Sequence, residues 1–99
     1  MKINIQAIHF SVKPYLINLI HEKLNKLLKF YFPIQHVEVY LKVNNFTNKS
    51  DKQVEVKVNL PNKNIIIVKK SNKFKSAIIL AITSLKRQLL KQKSKLSSK

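Results

Sequence analysis

Two runs in the middle of the chain alternate strictly. Val37, Val39, Leu41 and Val43 are interleaved with Glu38, Tyr40 and Lys42, and Val54, Val56, Val58 and Leu60 with Glu55, Lys57 and Asn59. Period-two alternation puts one face on a core and the other in water, the pattern of half-buried antiparallel strands. The polar stretch Asn44–Lys52 between them reads as the connection of a hairpin. A sheet with one wet face must be covered on the other, and the flanking segments can do this. Ile17, Ile20, Leu24, Leu27 and Tyr31 recur at helical spacing, with Leu16 and Leu28 widening the stripe. Pro14 suits the first turn of a helix, where its missing N–H costs nothing, and Pro33 stops the pattern, so a helix is predicted over 14–31. Phe74, Ala77, Ile78, Ala81, Ile82, Leu85 and Leu89 mark a second helix from 72 to 93 or beyond, with Ser71 or Asn72 as its cap.

At the N-terminus Ile3, Ile5 and Ala7 alternate with polar residues, and the phase shifts by one at Ile8 and Phe10. This predicts a first strand over 2–10 with a bulge or strand end near Ala7. Pro61 to Asn64 forms a turn, and Ile65–Val68 a fourth, more fully apolar strand. The order is β-α-β-β-β-α. The expected fold is α+β: a two-layer sandwich of a four-stranded mixed sheet with two helices on one face. The helical crossover makes the first two strands parallel and the hairpins make the rest antiparallel. With 99 residues the chain is expected to form one domain over 1–93, followed by a basic flexible tail over 94–99. Its longest apolar run, Ala77 to Ile82, falls far short of the roughly 20 residues that span a membrane. The start of the chain also lacks the apolar segment of a signal peptide.

Charge narrows the function. The chain has 20 Lys or Arg against 4 Asp or Glu, a net +16. Such self-repulsion is tolerable where a polyanion neutralises it, and nucleic acid is the first candidate. Codon bias toward lysine would raise glutamate too, yet there are 19 Lys and 3 Glu. Residues 1–55 carry +4 and hold all the acids, whereas residues 56–99 carry +12. The absence of cysteine removes disulfides and thiolate sites, and the absence of glycine excludes a P-loop and a dinucleotide-binding fingerprint.

Catalytic groups are scarce. Glu38 and Glu55 share the polar side of neighbouring strands, but Lys57 lies two positions from Glu55 and Lys42 four from Glu38 on the same side, which fits ordinary cross-strand charge pairing. His9, His21 and His36 lack a metal-ligand spacing. Neither an enzyme, nor a metal site, nor a cofactor is expected. The basic residues are better organised. About Leu85, at 100° per residue, Lys75, Lys86 and Lys93 fall on one flank of the second helix, and Lys73, Arg87 and Lys91 around its back. No acid on that helix offers an i,i+4 partner. Together with Lys23, Lys26 and Lys29 on the first helix, and Lys70 before the second, they form a candidate RNA-binding surface. Such a surface acts on phosphates and gives affinity and orientation more than sequence reading. With one Arg, no Trp and mostly core-like aromatics, a stacking platform is not expected, although Tyr40 on the open sheet face could stack. The expected target is a folded, phosphate-dense RNA such as ribosomal RNA.

The segment from Ala77 to Lys91, AIILAITSLKRQLLK, resembles the second-helix pattern of the ribosome hibernation-promoting factors, also called ribosome-associated inhibitors or sigma-54 modulation-like proteins. Leu60-Pro61-Asn62, the stretch His21 to Leu27 and the element order also fit, and the resemblance covers essentially the whole chain. It implies a fold similar to double-stranded-RNA-binding domains. It also implies a cytoplasmic bacterial stress or stationary-phase protein that binds the small ribosomal subunit and the 70S ribosome through 16S-type rRNA. Its place would be the channel between head and body, across the mRNA path and the tRNA decoding sites. The family's rRNA contacts carry over to Lys23, Lys26, Arg87 and Lys91. Lys86 stands where the family commonly has an acid, Lys73-Phe74-Lys75 where relatives often have an acid, Met and Tyr, and Lys63 where they have a glycine turn. These changes make the surface more basic and leave the Tyr contact without its residue. Long members continue into a dimerisation domain. As this chain ends at Lys99, a short form, monomeric when free and without membrane or small-molecule partners, is expected.

Two other readings compete. One is a general structured-RNA-binding module or RNA chaperone. The other is an interaction protein using Ile79, Leu80 and Leu90, which fall outside the buried stripe.

Overall fold

In the computed structural model, residues 2–8, 11–28, 36–43, 52–60 and 63–97 are described, without the side chains of Leu28 and of 92–97. The elements are β1 (Lys2–Ile8), α1 (Pro14–Leu28), β2 (His36–Val43), β3 (Lys52–Leu60), β4 (Lys63–Ser71) and α2 (Phe74–Ser97). The predicted β-α-β-β-β-α order is the observed one. The strands lie side by side in chain order, β1 parallel to β2 and the other neighbours antiparallel. α1 returns from the end of β1 to the start of β2. β4 runs parallel to β2, and α2 turns back along it after residues 72–73. The two helices therefore run in the same direction, in contact with each other, and α2 lies over β3 and β4.

Register sorts the side chains. One inward row is Ile3, Val37, Val58 and Ile65, and the next is Ile5, Val39, Val56 and Ile67. Against them lie Leu16, Ile20, Leu24 and Leu27 of α1, and Ala77, Ile78, Ala81, Leu85 and Leu89 of α2. Both helices thus cover one face of the sheet. Leu24, Leu41 and Leu85 have no exposed surface, and each contributes roughly 1.5–3 kcal/mol through burial.

Three details differ from expectation. The pairing of β1 with β2 continues in step through Ala7↔Leu41 and Ile8↔Lys42, so there is no bulge at Ala7; of the two expected alternatives, a strand end near Ala7 is the one that fits, β1 being Lys2–Ile8. The apparent phase shift arises because Ile8 stands on the open face, beside Tyr40 and Lys42. β4 is longer than 65–68 and it alternates. Ile65 and Ile67 are buried while Ile66 and Val68 are exposed, as an edge strand with one wet face allows. At the start of α2, the Lys73 carbonyl accepts the Ala77 amide at 3.0 Å, and Ser71 Oγ donates instead to Asn72 Oδ1 at 3.3 Å. The expected strand residues His9 and Phe10 and helix residues 29–31 lie outside the described residues.

Candidate nucleic-acid interface

The two faces of the sandwich differ in charge. On the helix side Lys23 and Lys26 of α1, Lys73 before α2, and Lys75, Lys86, Arg87 and Lys91 of α2 are all exposed. Among the described residues the one acid on either helix is Glu22, which stands four residues before Lys26. Lys73 and Lys75 sit at the positive end of α2, whose first turn has no acid. That placement disfavours the free protein and favours an anion beside it. Lys29 lies outside the described residues, as does the side chain of Lys93.

Phase around α2 separates its cations. With Leu85 facing the sheet, Lys75 and Lys86 project to one flank, and Lys91 toward the other. The position of β4 marks that second flank. Ser84, Arg87 and Gln88 share a shallow cleft with Ile66, Ile67, Val68 and Lys69. Lys70, although next in sequence, points the opposite way. It pairs in register with Gln53 on the open face, apart from the helix cations. Like Lys52 and Lys63, which fall on its side of the sheet by register, Lys69 is a basic residue on the helix side that the charge pattern passed over. The alternation of Ile65 and Ile67 carried forward two positions would have found it.

The open face mixes signs. Glu38 stands opposite Lys57, Tyr40 opposite Glu55, and Lys42 opposite Gln53. The Tyr40 hydroxyl donates to Glu38 Oε2, and His36 Nε2 lies 3.4 Å from Glu38 Oε1. The hydrogen bond from Tyr40 holds the Glu38 carboxyl below its ordinary range against the opposing effect of desolvation, with lesser help from the charges of His36 and Lys57. The same bond, with desolvation, pushes the Tyr40 phenol up. Glu38 therefore answers to its immediate neighbours, as cross-strand pairing on an exposed sheet requires. Its partner in the sequence argument, Glu55, lies on the same face with Tyr40 between them in register. His21 is half-buried on α1, and His9 lies outside the described residues. Among the described residues no group of three or more His, Cys, Asp or Glu could hold a metal ion. Nor is any described helix long and apolar enough to cross a membrane.

The fold has known counterparts. A ribosomal subunit interface protein from Coxiella burnetii superposes with a TM-score of 0.80 at 24% identity, covering 95% of this chain and 99% of that one. The N-terminal domain of Protein Y from Thermus thermophilus superposes with a TM-score of 0.70 at 18% identity, covering 89% of this chain and 91% of that one. No curated protein gives a significant match. The family model of the sigma 54 modulation protein / S30EA ribosomal protein matches residues 3–97. With almost its whole length matched, the chain belongs to the sigma 54 modulation protein / S30EA ribosomal protein family.

Proposed function

We propose that this protein is a non-enzymatic translation inhibitor that lays its helix face on the small ribosomal subunit, in the channel between head and body. There it occupies the path of mRNA and the decoding sites of tRNA, and holds ribosomes inactive in the cytoplasm under stress or in stationary phase. The observation that supports this most is the segregation of charge. Seven exposed cations on and before the helices face one way with Glu22, while Glu38 and Glu55 lie on the opposite face. Membership of the family and the likeness to a ribosomal subunit interface protein support the ribosome as the target.

Mechanism follows from that arrangement. Each lysine brought against a backbone phosphate releases condensed counterions, so affinity is electrostatic and falls steeply with salt. The helix pair is braced by the sheet, so the cations meet a folded RNA as a rigid array. Inhibition then needs no chemistry: a bound domain in the channel excludes mRNA and tRNA by volume.

Competition tests this. Purified protein should sediment with small subunits and 70S ribosomes at about 0.1 M salt, and should be displaced by initiator tRNA with mRNA. Failure to sediment overturns the proposal. Equal affinity for a plain RNA duplex, with no displacement by tRNA and mRNA, would assign a general structured-RNA-binding module instead.

A further inference from the structure

The cleft at the edge of the sheet is chemically unlike the rest of the helix face. Elsewhere the described helix cations stand exposed. Here an edge strand and a helix flank bring four donor-bearing side chains together: Lys69 from β4, and Ser84, Arg87 and Gln88 from α2. Among the described residues no acid lines the cleft. Glu55, on the neighbouring strand, is opposite Val68 in register and points to the other side of the sheet. Of the two cations that line it, Lys69 is half-buried and Arg87 exposed. Two cations beside two neutral polar groups, with no carboxylate among them, suit a small tetrahedral anion. Arg offers a planar fork, Lys a point charge, and Ser and Gln neutral donors.

We propose that the cleft between β4 and α2 is a seat for one phosphate group of an RNA backbone, gripped jointly by Lys69 and Arg87 with Ser84 and Gln88 donating. The site rests on the proposed ribosome binding and adds to it a defined phosphate subsite. It makes Lys69, absent from the helical stripe of cations, a binding residue. Lys70, one position on, has no part in it. A shared phosphate also makes Lys69 and Arg87 interdependent, unlike cations that meet separate phosphates.

Ribosome co-sedimentation of the full chain across about 0.05–0.2 M salt tests this through the log–log slope, in which one phosphate contact counts for about 0.7–0.9. Lys69→Gln and Arg87→Gln should each weaken binding and lower the slope by less than one contact, because the remaining cation still faces the phosphate. The double variant should lower it by about one contact and no more, because both hold the same phosphate. Lys70→Gln should leave it unchanged. Gln88→Glu changes an exposed residue and tests the same seat if Lys69→Gln fails to fold. It should weaken binding about tenfold by placing a like charge against the phosphate. Unchanged binding in Lys69→Gln or Gln88→Glu, or a double variant that loses two contacts, overturns the phosphate seat. Poly-glutamate competing as well as RNA, with the same dependence on Lys69, overturns it in favour of an acidic peptide. Inorganic phosphate should shift the Ser84 and Gln88 amide resonances of the free protein weakly. A response as strong as that to a short RNA duplex would assign a free-anion site and overturn the backbone assignment. If Arg87→Glu with Lys91→Glu leaves ribosome binding untouched, the ribosome reading itself fails; if that variant loses binding while Lys69→Gln does not, the seat alone fails.

Discussion

Lys69 and Lys70 are adjacent in sequence and lie on opposite faces of β4: Lys69 shares a cleft with Arg87 on the helix side, and Lys70 stands opposite Gln53 on the open face. Two residues that composition cannot tell apart thus belong to surfaces of different character, one with a single acid on its helices and one carrying Glu38 and Glu55. The net charge acts as a polarised layer, set by strand alternation and helix phase.

That polarity predicts unequal effects from equal changes in charge. Arg87→Glu with Lys91→Glu should abolish ribosome binding while circular dichroism and the melting curve stay unchanged. Lys70→Glu, the same change of charge per residue on the opposite face, should retain most of the binding in the same sedimentation assay. Retained inhibition of translation by the double variant would refute the assignment of the helix face.

The core predicts the largest loss of stability. Leu85→Ala, at a position with no exposed surface, should cost about 2–5 kcal/mol and lower Tm by at least roughly 10 °C. Leu80→Ala, at a residue 48% exposed, should stay within about 0.5 kcal/mol. Thermal denaturation of the pair checks the orientation of α2.

Most of the architecture was legible from periodicity. Val37 to Val43 and Val54 to Leu60 show period two because their sheet has one wet face. The stripes around Ile20 and Leu85 show helical spacing because each helix buries one side. What stayed hidden was hidden for physical reasons. Four consecutive aliphatics, Ile65 to Val68, mask alternation at an edge strand, which tolerates β-branched residues facing water. Lys63 and Lys69 to Ser71 carry no strand signature of their own and extend β4 by pairing with Leu60 and with Val54 to Lys52. The cations on the helices could be placed on their flanks from phase alone. The cleft could not, because it joins two elements whose relative placement depends on packing.

Acid should weaken the Tyr40–Glu38 contact. Because the folded state depresses the Glu38 pKa below its ordinary 4.5, the contribution is full above that value and fades as pH falls through the lower folded one. The raised phenol of Tyr40 loses its share at the other end, as pH rises through its folded pKa above 10.0. Tyr40→Phe should return the Glu38 carboxyl toward 4.5 in an NMR titration. An unmoved Glu38 would show that Tyr40 is not the cause.

The exposed apolar residues of α2 predict a monomer. Ile79 and Leu90 lie toward one flank and Leu80 toward the other, among Lys75, Lys86, Arg87 and Lys91, so they do not form one continuous patch. Light scattering should give a single-chain mass at low and high salt alike. A salt-independent dimer would instead assign this face to protein contacts.

An electron-microscopy image of the protein on the ribosome tests the central claim most directly. The account predicts density between head and body of the small subunit, with α1 and α2 against rRNA and the open sheet face, bearing Glu38 and Glu55, turned away from it. Density outside the channel, or the sheet face laid against RNA, would contradict it.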